Sequence, residues 1–332
     1  MLPTAPVGIK DVARAAGVSP ATVSRALGHG PVSAEVRAKV AEAVRLSGYR
    51  PNLSARRLRS QDSQTIGLIV ADISNPFFTA VARAVEDAAY QAGLRVILCN
   101  TDENPEKEAM YLNLMEEERV TGVIFAPTRV TVERFATEKP NFPMVLIDRA
   151  GNAGWEDAVV LDNRAAATML VEHMVAQGYR RIAGIFGNAS TTGLERCEGF
   201  STAMTRLGLV PDAQFVPPSM AASAGLVAEW LRSRERPEAV MASNGLLLMG
   251  VVRAVRDAGI RMPEDLAVAG FDNESWTDLV APGITVIAQP VAEIGQSSVK
   301  MLLERLQTPG APGRKLVLRG QCLVRGSTAA RA

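Results

Sequence analysis

Residues 9–28 read Ile9-Lys10-Asp11-Val12-Ala13-Arg14-Ala15-Ala16-Gly17-Val18-Ser19-Pro20-Ala21-Thr22-Val23-Ser24-Arg25-Ala26-Leu27-Gly28. Ile9, Val12, Ala13 and Ala16 recur at i, i+3, i+4 and i+7, which is one apolar stripe along a short helix. Gly17 ends that helix, as a residue able to turn left-handed does. Ser19 can cap the next helix, with Pro20 at its first position, where the missing N–H costs nothing. Val23, Ala26 and Leu27 then face inward, Ala21 and Arg25 face outward, and Thr22 and Ser24 flank them. Two short helices sharing a small core across a Gly-containing turn make a helix-turn-helix. The outward face of its second helix would enter a DNA major groove. Ser33 caps a third helix that runs to about Ser47 and buries Val36, Val40, Ala43 and Val44. A plain helical bundle edge would show the same stripes, so charge has to decide between the two.

Working outward, residues 1–60 hold ten basic and three acidic side chains, a net +7, which leaves −6 for the rest of a chain whose total is +1. A basic small end on an acidic large body describes a polyanion-binding arm. Next comes Pro51-Asn52-Leu53-Ser54-Ala55-Arg56-Arg57-Leu58-Arg59, then a polar linker from Ser60 to Gln64. A helix this short is marginal alone in water. Three arginines around Leu58 suit a helix that forms on DNA, with cations on phosphates and an apolar wedge in the minor groove. A plain basic linker is the simpler reading of the same residues.

At 332 residues, two or three domains are expected, and 47% hydrophobic with 21% charged residues is ordinary globular composition. No apolar run approaches a membrane span, and the N-terminus lacks a signal-peptide layout, so a cytoplasmic protein is expected. Cys99, Cys197 and Cys322 lie far apart and read as small buried hydrophobes. His29 and His173 are the only histidines. No catalytic set, metal site or cofactor can be assembled from this material, and no enzyme is expected.

From Thr65 the texture becomes strand–helix alternation, the mark of parallel sheets with helices on both faces. Strands are expected at 66–71, 95–99, 122–126 and 143–147, with helices over about 77–93 and 105–119. A second series follows Val159–Asn163: helix 164–177, strand 181–186, helix 194–207, strand 239–242, helix near 248–258, and strands 266–271 and 285–288. A helix over about 291–306 closes the series. The expected architecture is α/β: a two-lobed effector domain resembling periplasmic binding proteins, plus an all-α headpiece. The divisions are 1–50 for the headpiece, 51–64 for hinge helix and linker, and 65–332 for the effector and dimerisation domain. Its N-lobe takes about 65–161 plus 291–319, and its C-lobe about 162–290 plus 320–328.

A nucleotide-binding enzyme would need a glycine fingerprint, but the first strand runs into Asp72-Ile73-Ser74-Asn75-Pro76-Phe77-Phe78, and no P-loop is present. Ligands of open α/β sheets sit beyond the carboxyl ends of strands. Residues at those ends are Ser74, Asn75, Phe77, Phe78, Asp102, Asp148 and Arg149 in the first lobe. In the second they are Asn188, Thr192, Arg196, Asn244, Asp272, Asn273 and Gln289. Carboxylates, amides and arginines beside two phenylalanines suit a polyhydroxyl ligand. Two arginines favour an anionic one, a sugar phosphate or sugar acid. A neutral sugar or a nucleoside or purine is the alternative. A sugar-binding protein with no DNA role would share the large domain but not residues 1–60.

The runs IKDVARAAGVSPATVSRALG and VSAEVRAKVAEAVRLSGYRPNLSARRLRS resemble the headpiece and hinge of the lac-repressor (LacI/GalR) family. The resemblance continues through the chain and implies a dimeric DNA-binding repressor with a near-palindromic operator. It implies a DNA-facing set of Ser19, Pro20, Ala21, Thr22, Ser24, Arg25 and His29 in the headpiece, and Asn52, Ala55, Arg56, Leu58 and Arg59 in the hinge. Leu58 would be the intercalating residue, with Ala55 packed beside it. Pro20 and Ala21 cannot make bidentate bonds to a base edge, so Thr22, Arg25 and the DNA kink must carry recognition. Asn75-Pro76-Phe77-Phe78, Arg196 in R-C-E-G-F and Asp272 in G-F-D-N resemble the family's effector-pocket positions. Arg149 in V-L-I-D-R-A is similar to the fructose repressor/activator branch. One departure is Ala242-Ser243-Asn244-Gly245, where many members carry Asp at the last position. No heptad tail follows Gly326, so a tetramer of that kind is not expected.

Overall fold

The computed structural model describes residues 7–27, 30–49, 63–151, 154–233 and 236–330. The chain divides into two compact units, Met1–Ser63 and Gln64–Ala332.

The first unit holds α1 (Ile9–Ala16), α2 (Pro20–Leu27) and α3 (Ala34–Ser47). Its core is Val12, Ala13, Val23, Ala26, Val40 and Ala43. Gly17 takes φ +64° after α1, a conformation that costs glycine nothing, and the chain turns there into α2. The Ser33 hydroxyl accepts from Val36 N at 3.3 Å and caps α3.

The second unit contains two six-stranded sheets. In chain order the elements of the first lobe are β1 (Thr65–Val70), α4 (Pro76–Gln91), β2 (Arg95–Asn100), α5 (Pro105–Glu117), β3 (Gly122–Phe125), α6 (Arg129–Arg134), β4 (Met144–Ile147) and β5 (Asp157–Leu161). The second lobe follows with α7 (Asn163–Ala176), β6 (Ile182–Gly187), α8 (Thr191–Arg206), β7 (Asp212–Val216), α9 (Met220–Arg232), β8 (Ala239–Ala242), α10 (Gly245–Asp257), β9 (Ala267–Phe271), α11 (Ser275–Leu279) and β10 (Thr285–Ala288). Then come α12 (Val291–Gln307), β11 (Lys315–Leu318) and β12 (Gln321–Leu323).

The first sheet runs β11-β5-β4-β3-β1-β2, all parallel. The second runs β12-β10-β9-β8-β6-β7, parallel except for β12. The chain therefore crosses between the lobes three times, after β5, after β10 and between β11 and β12. Each sheet has an apolar cluster on both faces, which is why its inner strands read as unbroken hydrophobic runs. Gly193 shows how closely the layers approach: a Cβ there would lie 2.0 Å from the Gly187 carbonyl oxygen.

Element boundaries shift by a few residues from those expected, mostly at capped helix starts. α4 begins at Pro76 because Asn75 caps it, and α8 begins at Thr191 because Ser190 does. α6, β7, α9, α11, β11 and β12 have no counterpart in the sequence reading. Among the described residues no helix is long and apolar enough to cross a membrane, and no cluster of His, Cys, Asp or Glu could hold a metal ion. His173 lies on α7, where its Nε2 pairs with Thr328 Oγ1 at 2.8 Å, a structural contact.

Candidate ligand cleft and nucleic-acid interface

The carboxyl ends of both sheets face one cleft of about 460 Å³, the solvent at its mouth included. Asn75, Phe77, Phe78, Asp148, Arg149, Thr192, Arg196, Asn244, Asp272 and Gln289 line it. Ser74, Asp102, Asn188 and Asn273 do not, and Asn273 instead accepts from Arg325 Nη2 at 2.7 Å. Ser74 turns back on Asp72, its hydroxyl donating to Oδ2 at 2.8 Å, and Asp102 is held at the surface by Lys107 and Asn100. Asp72, Glu103, Ser190, Pro218 and Leu246 join the lining without having been singled out in the sequence.

In the first lobe, Asn75 Oδ1 accepts from Phe77 N at 3.2 Å and caps α4, which sets the two rings edge to face at 5.1 Å on the cleft wall. After β4, Asp148 adopts φ +63° and Arg149 turns inward, 4% exposed. Its guanidinium meets Glu103 through both terminal nitrogens, Nη1 at 2.7 Å, while Nε donates to Asp148 Oδ2 at 3.1 Å and Nη1 to the Pro127 carbonyl at 3.1 Å. Burial opposes its charge, yet Glu103 and Asp148 raise its pKa on balance. Burial likewise pushes the Asp148 carboxyl above the usual range, against the pull of Arg149 and Arg196.

In the second lobe, Ser190 caps α8 and shares a 2.7 Å hydrogen bond with Thr192. Arg196, 3% exposed, stacks 4.1 Å over the Phe271 ring, a cation–π contact in a dry site. Its Nε donates to Asn163 Oδ1 at 2.8 Å and its Nη1 to the Ser243 carbonyl. Its Nη2 is buried with no partner. Burial holds the Arg196 pKa below its ordinary value, with Asp272 and Asp148 opposing. Asp272, at φ +78°, accepts from Gly245 N at 2.9 Å and from Gln289 Nε2 at 2.7 Å. That second bond orients the Gln289 amide and leaves its Oε1 buried without a partner. The cleft thus carries four carboxylates (Asp72, Glu103, Asp148, Asp272) against two guanidiniums, one of them saturated by protein acceptors. Asn244 is spent on capping α10, accepting from Leu247 N at 2.9 Å.

In the first unit, Ser19, Pro20, Ala21 and Arg25 are exposed along α2, while Thr22 and Ser24 are half-buried. Ser19 Oγ accepts from Thr22 N at 3.1 Å and pairs with the Thr22 hydroxyl at 2.9 Å. Arg25 reaches back to the Ala21 carbonyl at 3.4 Å. Several cations here are engaged within the unit. Arg37 ties the Ala26 and Gly30 carbonyls, and Arg14, Lys39 and Arg45 pair with Asp11, Glu35 and Glu42. His29, Asn52, Ala55, Arg56, Leu58 and Arg59 lie outside the described residues.

Residues 8–52 match the family model for bacterial regulatory proteins of the lacI family, and residues 171–328 match that for a periplasmic binding protein-like domain. The chain is 33% identical to the HTH-type transcriptional regulator DegA of Bacillus subtilis, over 96% of this chain and 97% of that one. It is 36% identical to the ribose operon repressor of Halalkalibacterium halodurans, over 90% of each. Among solved structures, the lac repressor dimer bound to operator and the anti-inducer ONPF aligns with a TM-score of 0.86, covering 98% of this chain and 100% of that one at 27% identity.

Proposed function

The chain belongs to the LacI family of bacterial regulatory proteins, and from that premise we propose that it represses carbohydrate-metabolism genes under the control of an uncharged polyhydroxyl effector bound in the cleft. Residues 1–50 would read DNA, 51–64 would form the hinge helix and linker, and 65–332 would bind effector and dimerise. Two headpieces related by a two-fold axis would read a near-palindrome in the cytoplasm, with Leu58 wedged at its centre. Effector binding would shift the lobe arrangement and thereby operator affinity, through its differential affinity for the two states. The work is binding rather than catalysis. The likeness to a ribose operon repressor and to an operator-bound dimer supports this assignment.

One observation carries the effector class. The cleft holds one buried donor without an acceptor, Arg196 Nη2, and one buried acceptor without a donor, Gln289 Oε1. A hydroxyl can satisfy either kind of atom, whereas a phosphate or carboxylate oxygen can serve only the donor. The excess of carboxylates over guanidiniums also disfavours a net anion. A sugar phosphate or sugar acid, the reading that the similarity of Asp148-Arg149 to the fructose repressor/activator branch supports, could set its anion at Arg196 and a hydroxyl at Gln289, but it would enter a cleft with more carboxylates than guanidiniums.

A thermal-shift panel of neutral aldoses, sugar phosphates, sugar acids and nucleosides tests both readings. A ligand at a hundredfold excess over Kd stabilises by about 2.7 kcal/mol, well above detection. Stabilisation by neutral sugars is expected. Stabilisation by phosphorylated or acidic sugars alone would reverse the effector class, and silence across the panel would remove the carbohydrate reading.

A further inference from the structure

Glu108, on α5, has no solvent exposure and lies outside the cleft lining. Its two oxygens accept from Thr128, from the backbone N–H at 2.6 Å and from the hydroxyl at 2.7 Å, and the Thr131 hydroxyl also favours the charged form. A carboxylate taken wholly out of water persists only where such bonds replace hydration. The carbonyl just before, that of Pro127, accepts from Arg149 Nη1 in the cleft. The N–H just after, that of Arg129, reaches the Ala189 carbonyl at 3.3 Å. Ala189 belongs to the other lobe and immediately precedes Ser190 and Thr192 of the cleft wall. The two loops follow β3 and β6, both set in from the sheet edges where β5, β10, β11 and β12 carry the chain between lobes. Residues 127–129 therefore join the lobes away from the hinge, while touching the cleft arginine on one side and a buried carboxylate on the other.

We infer that residues 127–129 form an interlobe latch over the cleft and that Glu108 is the positioning residue that sets it. The geometry stands without any ligand, and the consequence for sugar retention rests on the effector reading above. Arg129 is the first residue of α6, and its N–H is free to point across the cleft because the first turn of a helix has no internal acceptor for it. Glu108 fixes the preceding residue, so that the direction of this N–H follows from a group buried in the first lobe.

The test uses amide hydrogen exchange on the full, ligand-free chain. Arg129→Pro removes the latch N–H and, with the side chain, an exposed 3.7 Å ion pair to Glu133 that contributes little; proline is tolerated at the first helical position, and Thr128, at φ −67° and ψ 162°, already has the backbone that a residue before proline requires. Exchange in residues 190–193 of the opposite lobe is expected to speed up about fivefold, the usual net worth of one hydrogen bond, with β3 and β6 unchanged. Glu108→Ala should produce the same acceleration, and Glu108→Gln should restore protection, because its amide can still accept from Thr128 N and donate to the hydroxyl. Unchanged exchange in 190–193 for Arg129→Pro overturns the latch. Acceleration confined to the first lobe in Glu108→Ala reduces Glu108 to a cap of α6 and overturns its positioning role. D-Ribose and the rest of the sugar panel then address retention. If they stabilise the wild type, Arg129→Pro should bind the same sugars about fivefold more weakly, and equal affinity would overturn the latch as a ligand-retaining device. If no sugar stabilises the wild type, the effector reading fails while the exchange result stands.

Discussion

Arg196 has exchanged water for the Phe271 ring, Asn163 Oδ1 and the Ser243 carbonyl, which leaves Nη2 for a ligand. Arg196→Ala should cut the effector-induced thermal shift to half or less, because a charge-assisted bond in a dry site contributes about 1.5–3 kcal/mol, roughly 10- to 150-fold in Kd. Operator binding by the ligand-free protein should survive; an intact shift in the variant would place the ligand elsewhere. Gln289→Leu should weaken the same response twice over, by deleting the Oε1 acceptor and by leaving Asp272 Oδ1 without its donor. Of the residues legible in the sequence, Asn75, Arg149 and Asp272 lie just past predicted strands, where direction carries them to the cleft, and Arg196 lies in the second turn of the helix after β6. Glu103 was not legible. It sits in a turn at φ +56°, and its role depends on Arg149, which is distant in sequence and meets it only once β2 and β4 share a sheet. Asp102, its neighbour at φ +53°, looked equivalent and is turned to solvent.

At the scale of elements, α12 and β11 sit in the first lobe through apolar packing and the pairing of β11 with β5, and one carboxylate ties the two together. Asp157, fully buried at the start of β5, takes both ends of Arg305 at 2.9 Å and also meets Arg314 at 3.2 Å. Burial alone would raise its pKa, but the two guanidiniums and the Arg314 N–H lower it on balance. A carboxyl whose folded pKa is lowered contributes its full stabilisation above the ordinary carboxylate range and loses it as pH falls below that range through its own lowered pKa. Asp157→Asn should therefore cost about 3–5 kcal/mol at pH 7, the usual result of breaking a buried pair, with Tm falling accordingly. The gap to wild type should narrow on acidification as the wild-type carboxyl protonates; a gap that stays constant down to pH 3 would show that the charge is not what holds the helix. The elements absent from the sequence reading have physical causes too. β7 is an edge strand exposed at Asp212, Gln214 and Phe215, so it lacks the apolar run that marks the inner strands. β11 and β12 are short and half-exposed, and they acquire their identity by pairing with β5 and β10.

For the whole molecule, the charge asymmetry sets how binding responds to salt. Of the ten cations in residues 1–60, Arg14, Lys39 and Arg45 pair with carboxylates and Arg37 holds two carbonyls. If these stay engaged on DNA, Lys10 and Arg25 are the described cations left to meet phosphates or bases in each subunit, and the sequence adds Arg50, Arg56, Arg57 and Arg59. A dimer would then neutralise at most about twelve phosphates, and log Kd against log salt would have a slope magnitude of up to about 11. A steeper slope would mean that the surface pairs break on DNA, which their exposure makes inexpensive. Single substitutions divide the remaining cations by role. Arg25→Ala should cost about 1–3 kcal/mol and relax operator preference if it reads a base edge, whereas loss of a phosphate contact would lower the slope and leave preference intact. Leu58→Ala should leave the slope untouched and weaken operator binding far more than non-specific binding, because a wedge acts through DNA deformation rather than charge. Equal losses on both kinds of DNA would remove the wedge from the mechanism and leave the hinge arginines as its only contribution.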